Sequence, residues 1–306
     1  MLAELGVLLI SAIVLAKAAD LIVENSLLLA RFLNVSELAI GFLLVSVATS
    51  LPELSIAITS IFEKAPGISA GNVLGANITN ITLVLGVAAI VSTVKIGKND
   101  VWKARNILAV AVLAPFLLIF FPGWISSAIL LALFAAYAFI SLRQHPARSK
   151  EKPSRQNAFF ALFFFAAGVV LLLVSADLVV KSAVDLAKIL GFSSTIIGAT
   201  LISIGTTLPE LSVSLQAARK KTVSLAVGNA VGSTLVNSTL VLPIASLSTA
   251  FSLNVHFAAL AVLFLAIASA VALMLRSQDL SRTKGFALLG TFVLFLAFAI
   301  ALDLVV

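Results

Sequence analysis

The sequence predicts an all-α membrane protein of ten transmembrane helices, in two inverted five-helix repeats with the second and seventh helices broken. Three observations predict it: apolar runs of spanning length, basic residues confined to alternate loops, and a self-similarity at one fixed offset. Of 306 residues, 61% are hydrophobic and 11% charged, whereas soluble domains are nearer half apolar and one quarter charged. A spanning helix needs about 20 mostly apolar residues. Ten such segments are read: about 2–30, 35–62, 67–92, 104–121, 123–142, 157–187, 192–218, 223–248, 255–275 and 284–304. Runs such as Ala158–Val174 lack the alternation of a membrane β-barrel, so the segments are helices that satisfy their own backbone. The first run starts at Leu2 with no basic region before it and is read as a span, not a cleaved signal.

The polar stretch Arg143–Asn157 divides the chain. Residues 1–142 form the first repeat, 143–156 a cytoplasmic linker and 157–306 the second repeat. With the linker inside, the inner loops hold Arg31, then Lys95, Lys98, Lys103 and Arg105, then Arg143, Arg148, Lys150, Lys152 and Arg155. They also hold Arg219, Lys220 and Lys221, then Arg276, Arg282 and Lys284, which makes sixteen of the twenty Lys and Arg. This bias predicts a multi-pass protein of the cell membrane with both termini outside. It also accounts for the net charge of +7 without nucleic acid as a partner. There is no cysteine, which removes thiolate chemistry. His145 and His256 fall near segment ends, away from any metal site.

The repeat appears at an offset of 157 residues. Gly41–Ser55 (GFLLVSVATSLPELS) and Gly198–Ser212 (GATLISIGTTLPELS) share nine of 15 positions. Gly71–Gly86 (GNVLGANITNITLVLG) and Gly228–Pro243 (GNAVGSTLVNSTLVLP) share eight of 16. Ala19-Asp20-Leu21 likewise matches Ala176-Asp177-Leu178. Five segments per repeat is an odd number, so the second half must enter the membrane from the opposite side. Inverted repeats of this kind place a substrate site near mid-bilayer, at the repeat interface.

The repeated blocks carry the polar residues. Thr49-Ser50-Leu51-Pro52-Glu53 and Thr206-Thr207-Leu208-Pro209-Glu210 each put a carboxylate well inside a segment, at a cost of about 2.5–3.5 kcal/mol each. No Lys or Arg lies within segments 2, 3, 7 or 8 to serve as a fixed partner, so a diffusible cation is the economical one. Each proline lacks an N–H and clashes with the carbonyl four residues back. Carbonyls around Val47–Ala48 and Ile204–Gly205 are therefore expected to be freed. Carbonyls, threonine hydroxyls and carboxylates make an all-oxygen set, which hard cations such as Ca2+ take. Gly71, Gly75, Gly228 and Gly232 are expected to allow close helix approach. Asn72, Asn80, Asn229 and Asn237 are expected to add amide oxygens or to hold the glutamates. Asp20, Glu24, Asp177 and Asp185 are read as structural residues near the membrane boundary, with ion access as the alternative.

With these duplicated motifs the chain resembles the cation/calcium antiporter superfamily, in particular its prokaryotic sodium/calcium exchanger branch, over nearly its whole length. The resemblance implies that Glu53 and Glu210 bind Ca2+ together with backbone oxygens of Thr49 and Thr206. It implies Na+ sites that share those glutamates and draw on Thr49, Thr206, Ser233, Asn80 and Asn237, with the carbonyls of Ser46 and Ser203. It also implies that the first and sixth segments slide as a pair to alternate access. No cofactor is implied beyond the transported Ca2+ and Na+, and the chain is expected to act as a monomer in the bilayer.

Two positions depart from the branch: Ala76 stands for a serine and Asn237 for an aspartate. Asn237 mirrors Asn80, as in proton/calcium exchangers, but those relatives usually carry G-N-x-x-E where this chain has TSLPE and TTLPE. Sodium is therefore the expected counter-ion and H+/Ca2+ exchange the alternative, with a cation channel the more distant one. No H-E-x-x-H, G-x-S-x-G or P-loop occurs, so an enzyme is not expected.

Overall fold

The computed structural model describes residues 2–62, 66–92, 94–121, 123–143, 153–190, 203–247 and 255–304. The described chain is helical apart from a two-stranded clip. Its elements are α1 (Leu2–Leu33), α2 (Glu37–Thr49), α3 (Leu51–Phe62), α4 (Ser69–Val91), β1 (Val94–Lys95), α5 (Lys98–Phe120) and α6 (Gly123–Arg143). In the second half follow α7 (Arg155–Ile189), α8 (Ser203–Gly205), α9 (Leu208–Arg219), α10 (Val223–Ser246), α11 (Val255–Leu275), β2 (Asp279–Leu280) and α12 (Arg282–Leu304). Eight of the described helices are long and apolar enough to cross a membrane, and nine spans result when the α2–α3 pair, bent by 45°, counts as one. Of the expected segment 192–218, residues before 203 lie outside the described ones, and α8 and α9 are its described remainder. Lys64, His145 and the linker residues Arg148, Lys150, Glu151 and Lys152 lie outside them too.

The segment boundaries match their expected places with one clear exception. α5 starts at Lys98 rather than near residue 104. Asp100, in the first turn of that helix, accepts a hydrogen bond from Ser224 Oγ at 2.9 Å. A carboxylate there also suits the positive end of the helix dipole, so a charged stretch that reads as loop becomes helix. The clip was not legible either: Val94 pairs with Leu280 and Lys95 with Asp279 in an antiparallel ladder. It joins the loop before α5 to the loop before α12 and so holds them at the same end of the bundle. α7 begins where Ser154 caps it, Oγ accepting from Asn157 N at 3.1 Å.

Packing divides the molecule into two bodies of buried side chains. One core is shared by α2, α4, α5, α10, α11 and α12, with Phe42, Leu74, Ile78, Ile107, Leu108 and Phe264 almost wholly buried. The other is centred on α1, which runs along α7 through Ala18, Ala19, Ile22, Phe165 and Leu172 and also packs on α2, α9 and α10 at Val45, Ala217 and Ala226. α10 lies at the centre, buried on all sides. It crosses α2 at backbone contact: a Cβ on Gly228 would lie 2.5 Å from the Leu38 carbonyl oxygen, and one on Gly232 2.8 Å from Phe42 Cα. The expectation of close approach therefore holds for Gly228 and Gly232. For Gly71 no described atom comes within 4 Å, and for Gly75 only Phe295 does, at 4.0 Å. The chain related to α2 by the repeat includes residues outside the described ones.

Candidate functional site

The two breaks hold the glutamates. α2 ends at Thr49, Ser50 leaves the helical region at φ −83° and ψ 10°, and α3 restarts at Leu51 with Pro52 and Glu53 in its first turn. In the second half, Thr206 and Thr207 form the turn between α8 and α9, and Pro209 and Glu210 stand in the first turn of α9. Proline tolerates the first helical turn because its missing N–H has no intrahelical partner there. Each carboxylate thus sits beside exposed N–H groups at a helix start, which favours negative charge. Ser203 opens α8.

Both glutamates are fully buried, and Glu53 lies close enough to Glu210 for their charges to interact. Around them the two halves interlock through oxygen and amide groups. Ser50 Oγ donates to Glu210 Oε1 at 3.4 Å. The hydroxyls of Thr49 and Ser233, 3.3 Å apart, flank the same carboxylate. Thr49 Oγ1 also donates to Asn229 Oδ1 at 3.2 Å. Asn229 Nδ2 in turn donates to the Glu210 carbonyl at 3.1 Å and to Ser214 Oγ at 2.9 Å. One asparagine on α10 therefore ties the break of the first half to the glutamate helix of the second.

Other polar atoms here have no partner. Glu53 Oε1 and Oε2, Glu210 Oε2, Thr206 Oγ1 and both amide atoms of Asn80 and Asn237 are buried without a hydrogen bond to any described residue. Such groups are costly in an apolar interior. Asn80 and Asn237 occupy equivalent places, each opening a single π-helical turn, Asn80–Val84 and Asn237–Val241. π-turns inside α-helices occur frequently at functional sites. Among the described residues, no Lys or Arg pairs with either glutamate, and His, Asp and Glu form no cluster of three. The charge of the site is two carboxylates, and the remaining donors are hydroxyl, amide and carbonyl oxygens. This is a donor set for a hard cation.

A family model described as "Sodium/calcium exchanger protein" matches residues 3–143 and 160–301. The chain belongs to that family. Relatives of this exchanger include an uncharacterized membrane protein of Methanocaldococcus jannaschii, 32% identical over 295 residues that span 95% of this chain and 96% of that one. The sodium/calcium exchanger MaX1 of Methanosarcina acetivorans is 28% identical over 286 residues, 79% of this chain and 82% of the relative. A solved structure of the sodium-calcium exchanger NCX_Mj, soaked with 2.5 mM Na+ and 0.1 mM Ca2+, matches with a TM-score of 0.86 at 31% identity, covering 97% of this chain and 98% of that one. Membership makes the chain a membrane transporter of the cation/Ca2+ exchanger type.

Within this exchanger, the structure assembles Thr49, Glu210 and Ser233 directly, with Glu53 close by. Two expected carbonyl oxygens are already in use. The Ser46 carbonyl accepts from Ser50 N at 3.0 Å and is, with Asn229 Oδ1, one of two alternative acceptors for the single Thr49 hydroxyl proton, at 3.3 Å. The Ile204 carbonyl accepts from Thr207 N at 3.1 Å and Thr207 Oγ1 at 2.9 Å and so is not freed as the proline argument expected. Ser46 Oγ itself turns back to the Phe42 carbonyl. Ala76 is buried and brings no oxygen. Asn72 is half-buried, with a buried Nδ2 that meets no described acceptor.

The sequence reading missed Ser50 and Ser214, and the bond from Asn77 Nδ2 to Ser238 Oγ at 2.8 Å that joins α4 to α10. At the repeat offset Asn77 corresponds to Thr234 but Ser238 to Ile81, so the same pair cannot form in the other half and symmetry does not reveal it. Ser50 was legible in principle as the hydroxyl beside Thr49 within TSLPE. The boundary acids are engaged: Asp20 and Glu24 both meet Lys220 Nζ at 2.6 Å. Asp177 pairs with Lys181 at 2.7 Å and Asp185 with Lys188 at 3.8 Å. These pairings match the structural reading.

Proposed function

We propose that this chain is a secondary antiporter that exchanges Ca2+ for Na+ across the cell membrane by alternating access, with ten helices in two inverted repeats and both termini outside. The observation that carries the reading is the pair Glu53 and Glu210, one per half, buried together with unpartnered oxygens and no fixed cation among the described residues. Two carboxylates neutralise one Ca2+, and Thr49 and Thr206 complete its shell. Sodium ions draw on the same two glutamates with Thr49, Thr206, Ser46, Ser203, Ser233, Asn80 and Asn237. Because both ions need the same carboxylates, neither set fills while the other is complete. That exclusion is what makes transport an exchange.

Ion movement needs the site to open to each side in turn. α1 and α7 pack along each other and meet α2, α9 and α10 through small and apolar side chains such as Ala39, Val45, Ala217 and Ala226, a surface along which a paired sliding motion would run. Polar groups tie the pair to α9 at one end: Gln216 Nε2 donates to the Ala16 carbonyl at 3.1 Å, and Lys220 meets Asp20 and Glu24. Such bonds exchange readily with water, and they favour one of two discrete positions without locking it.

The test is isotopic calcium uptake into liposomes, with sodium and pH gradients varied separately. An outward sodium gradient is expected to drive uptake, and a proton gradient alone to do nothing. Glu53→Ala and Glu210→Ala are each expected to abolish uptake while the protein still inserts. Uptake at the normal rate in either variant would reject the site. A second reading, H+/Ca2+ exchange on the same glutamates, is favoured by Asn237 standing where an extra carboxylate would assist sodium. Uptake driven by pH without sodium would establish it.

A further inference from the structure

A cleft of about 450 Å3 opens between α5 and α11, away from the glutamates, with Trp102, Arg105 and Asn106 at one end and Leu113 and Leu265 at the other. We propose that it holds an anionic phospholipid, the phosphate on Arg105 and one acyl chain along the helices. This inference is independent of the exchange reading. Trp102 to Leu113 spans about 16 Å of helix, close to half of the roughly 30 Å hydrocarbon core. The cleft therefore runs the depth of one leaflet, far longer than a free phosphate requires.

Charge selects the headgroup. Arg105 is half-buried, and its Nε is fully buried without a hydrogen-bond acceptor among the described residues. Nearby carboxylates are engaged elsewhere, Asp100 by Ser224 and Asp279 by Lys284. Lys98, Lys103 and Arg276, at the same end of the bundle, make no ion pair with a described residue. Phosphate oxygens match the guanidinium fork. Basic pockets between membrane helices recognise anionic headgroups in this way. Trp102 is 63% exposed, placed as interfacial tryptophans are at headgroup level. A second copy of the chain is a poorer occupant, because a two-fold contact sets the same patch against itself and would oppose these bases to their own copies.

The experiment is native mass spectrometry of the full chain in detergent, with phosphatidylglycerol and phosphatidylcholine of equal chain length supplied in turn. Wild type is expected to retain phosphatidylglycerol at least about fivefold better. Arg105→Gln should bring that ratio near one, and Arg105→Lys should keep part of it. Ala109→Phe, which fills the apolar wall without touching a charge, should weaken retention of both lipids. Inorganic phosphate, added as competitor, should leave lipid retention unchanged. Equal retention of the two lipids by wild type would overturn the proposal. So would an unchanged preference in Arg105→Gln, or loss of phosphatidylglycerol to millimolar phosphate with Ala109→Phe behaving as wild type. If Arg105→Gln aggregates, Arg105→Lys and Ala109→Phe decide the matter.

Discussion

Gly232→Ala tests whether the α2–α10 crossing sets the geometry of the site. The added Cβ would lie 2.8 Å from Phe42 Cα, 3.0 Å from Ser46 Oγ and 3.1 Å from Phe42 Cδ2. Ordinary carbon contact is about 3.5 Å or more, so the shortfall is roughly 0.7 Å. The nearest atom is backbone and no rotamer removes it, so α2 and α10 must part by about that distance. Overpacking of this kind costs about 1–3 kcal/mol, read as a fall of several degrees in thermal melting of the purified protein. The functional effect is sharper. Ser233 is the next residue, and its 3.3 Å contact with Thr49 spans the same crossing. Calcium–oxygen distances lie near 2.3–2.6 Å and metal sites tolerate about 0.2 Å of error, so a displacement several times larger removes a ligand. Apparent calcium affinity in proteoliposome uptake is expected to drop at least about tenfold, or 1.4 kcal/mol. Gly228→Ala, 2.5 Å from the Leu38 carbonyl oxygen, should cost as much stability but less affinity, being about 6 Å further along the helix. Gly290→Ala, with no described atom within 4 Å, should change neither. Wild-type melting and affinity in Gly232→Ala would refute the close-approach argument. Lower stability with unchanged affinity would refute the link from crossing to site.

The remaining predictions address polar groups. Asn229→Ala removes three buried hydrogen bonds and should lower stability by about 1–3 kcal/mol together with calcium uptake; melting and flux measured on one preparation check it. Asn237→Asp adds a carboxylate to a fully buried position of the site and should alter the sodium dependence of uptake. Unchanged sodium kinetics would place that amide outside the sodium path. Lys220→Met breaks a partly exposed pairing with Asp20 and Glu24 and should cost less than about 1 kcal/mol, diminishing further in high salt. Burial lowers the Lys220 pKa, but hydrogen bonds and charge from Asp20 and Glu24 outweigh it, and the net direction is upward. The pairing therefore stabilises fully below the unfolded value near 10.4 and is lost as pH rises through the folded one. The melting difference between wild type and Lys220→Met should hold at neutral pH and vanish in strong alkali.

The chain by itself determined that the molecule is helical, where most of its apolar spans run, and which polar residues interrupt them. Apolar runs of spanning length leave helix as the only way to satisfy the backbone in lipid. The TSLPE and TTLPE blocks marked both breaks, since proline forbids an uninterrupted ladder wherever it falls. Glu53, Glu210, Asn80 and Asn237 could be named because charged or amide groups inside an apolar run are costly unless used, whereas Ser233 was named only through the family resemblance. Pairing was a different matter. That Thr49 meets Asn229 and that Ser50 reaches across to Glu210 depend on where helices from opposite halves cross, while the brace from Asn229 to the Glu210 carbonyl depends on how α9 packs on α10. The α5 start depended on Ser224, and the β1–β2 clip on a loop nearly 190 residues away. Local periodicity reports which residues are polar or apolar. Hydrogen bonds within 3.5 Å between segments 160 or more residues apart are settled by three-dimensional packing, where glycine at positions 228 and 232 lets two backbones touch.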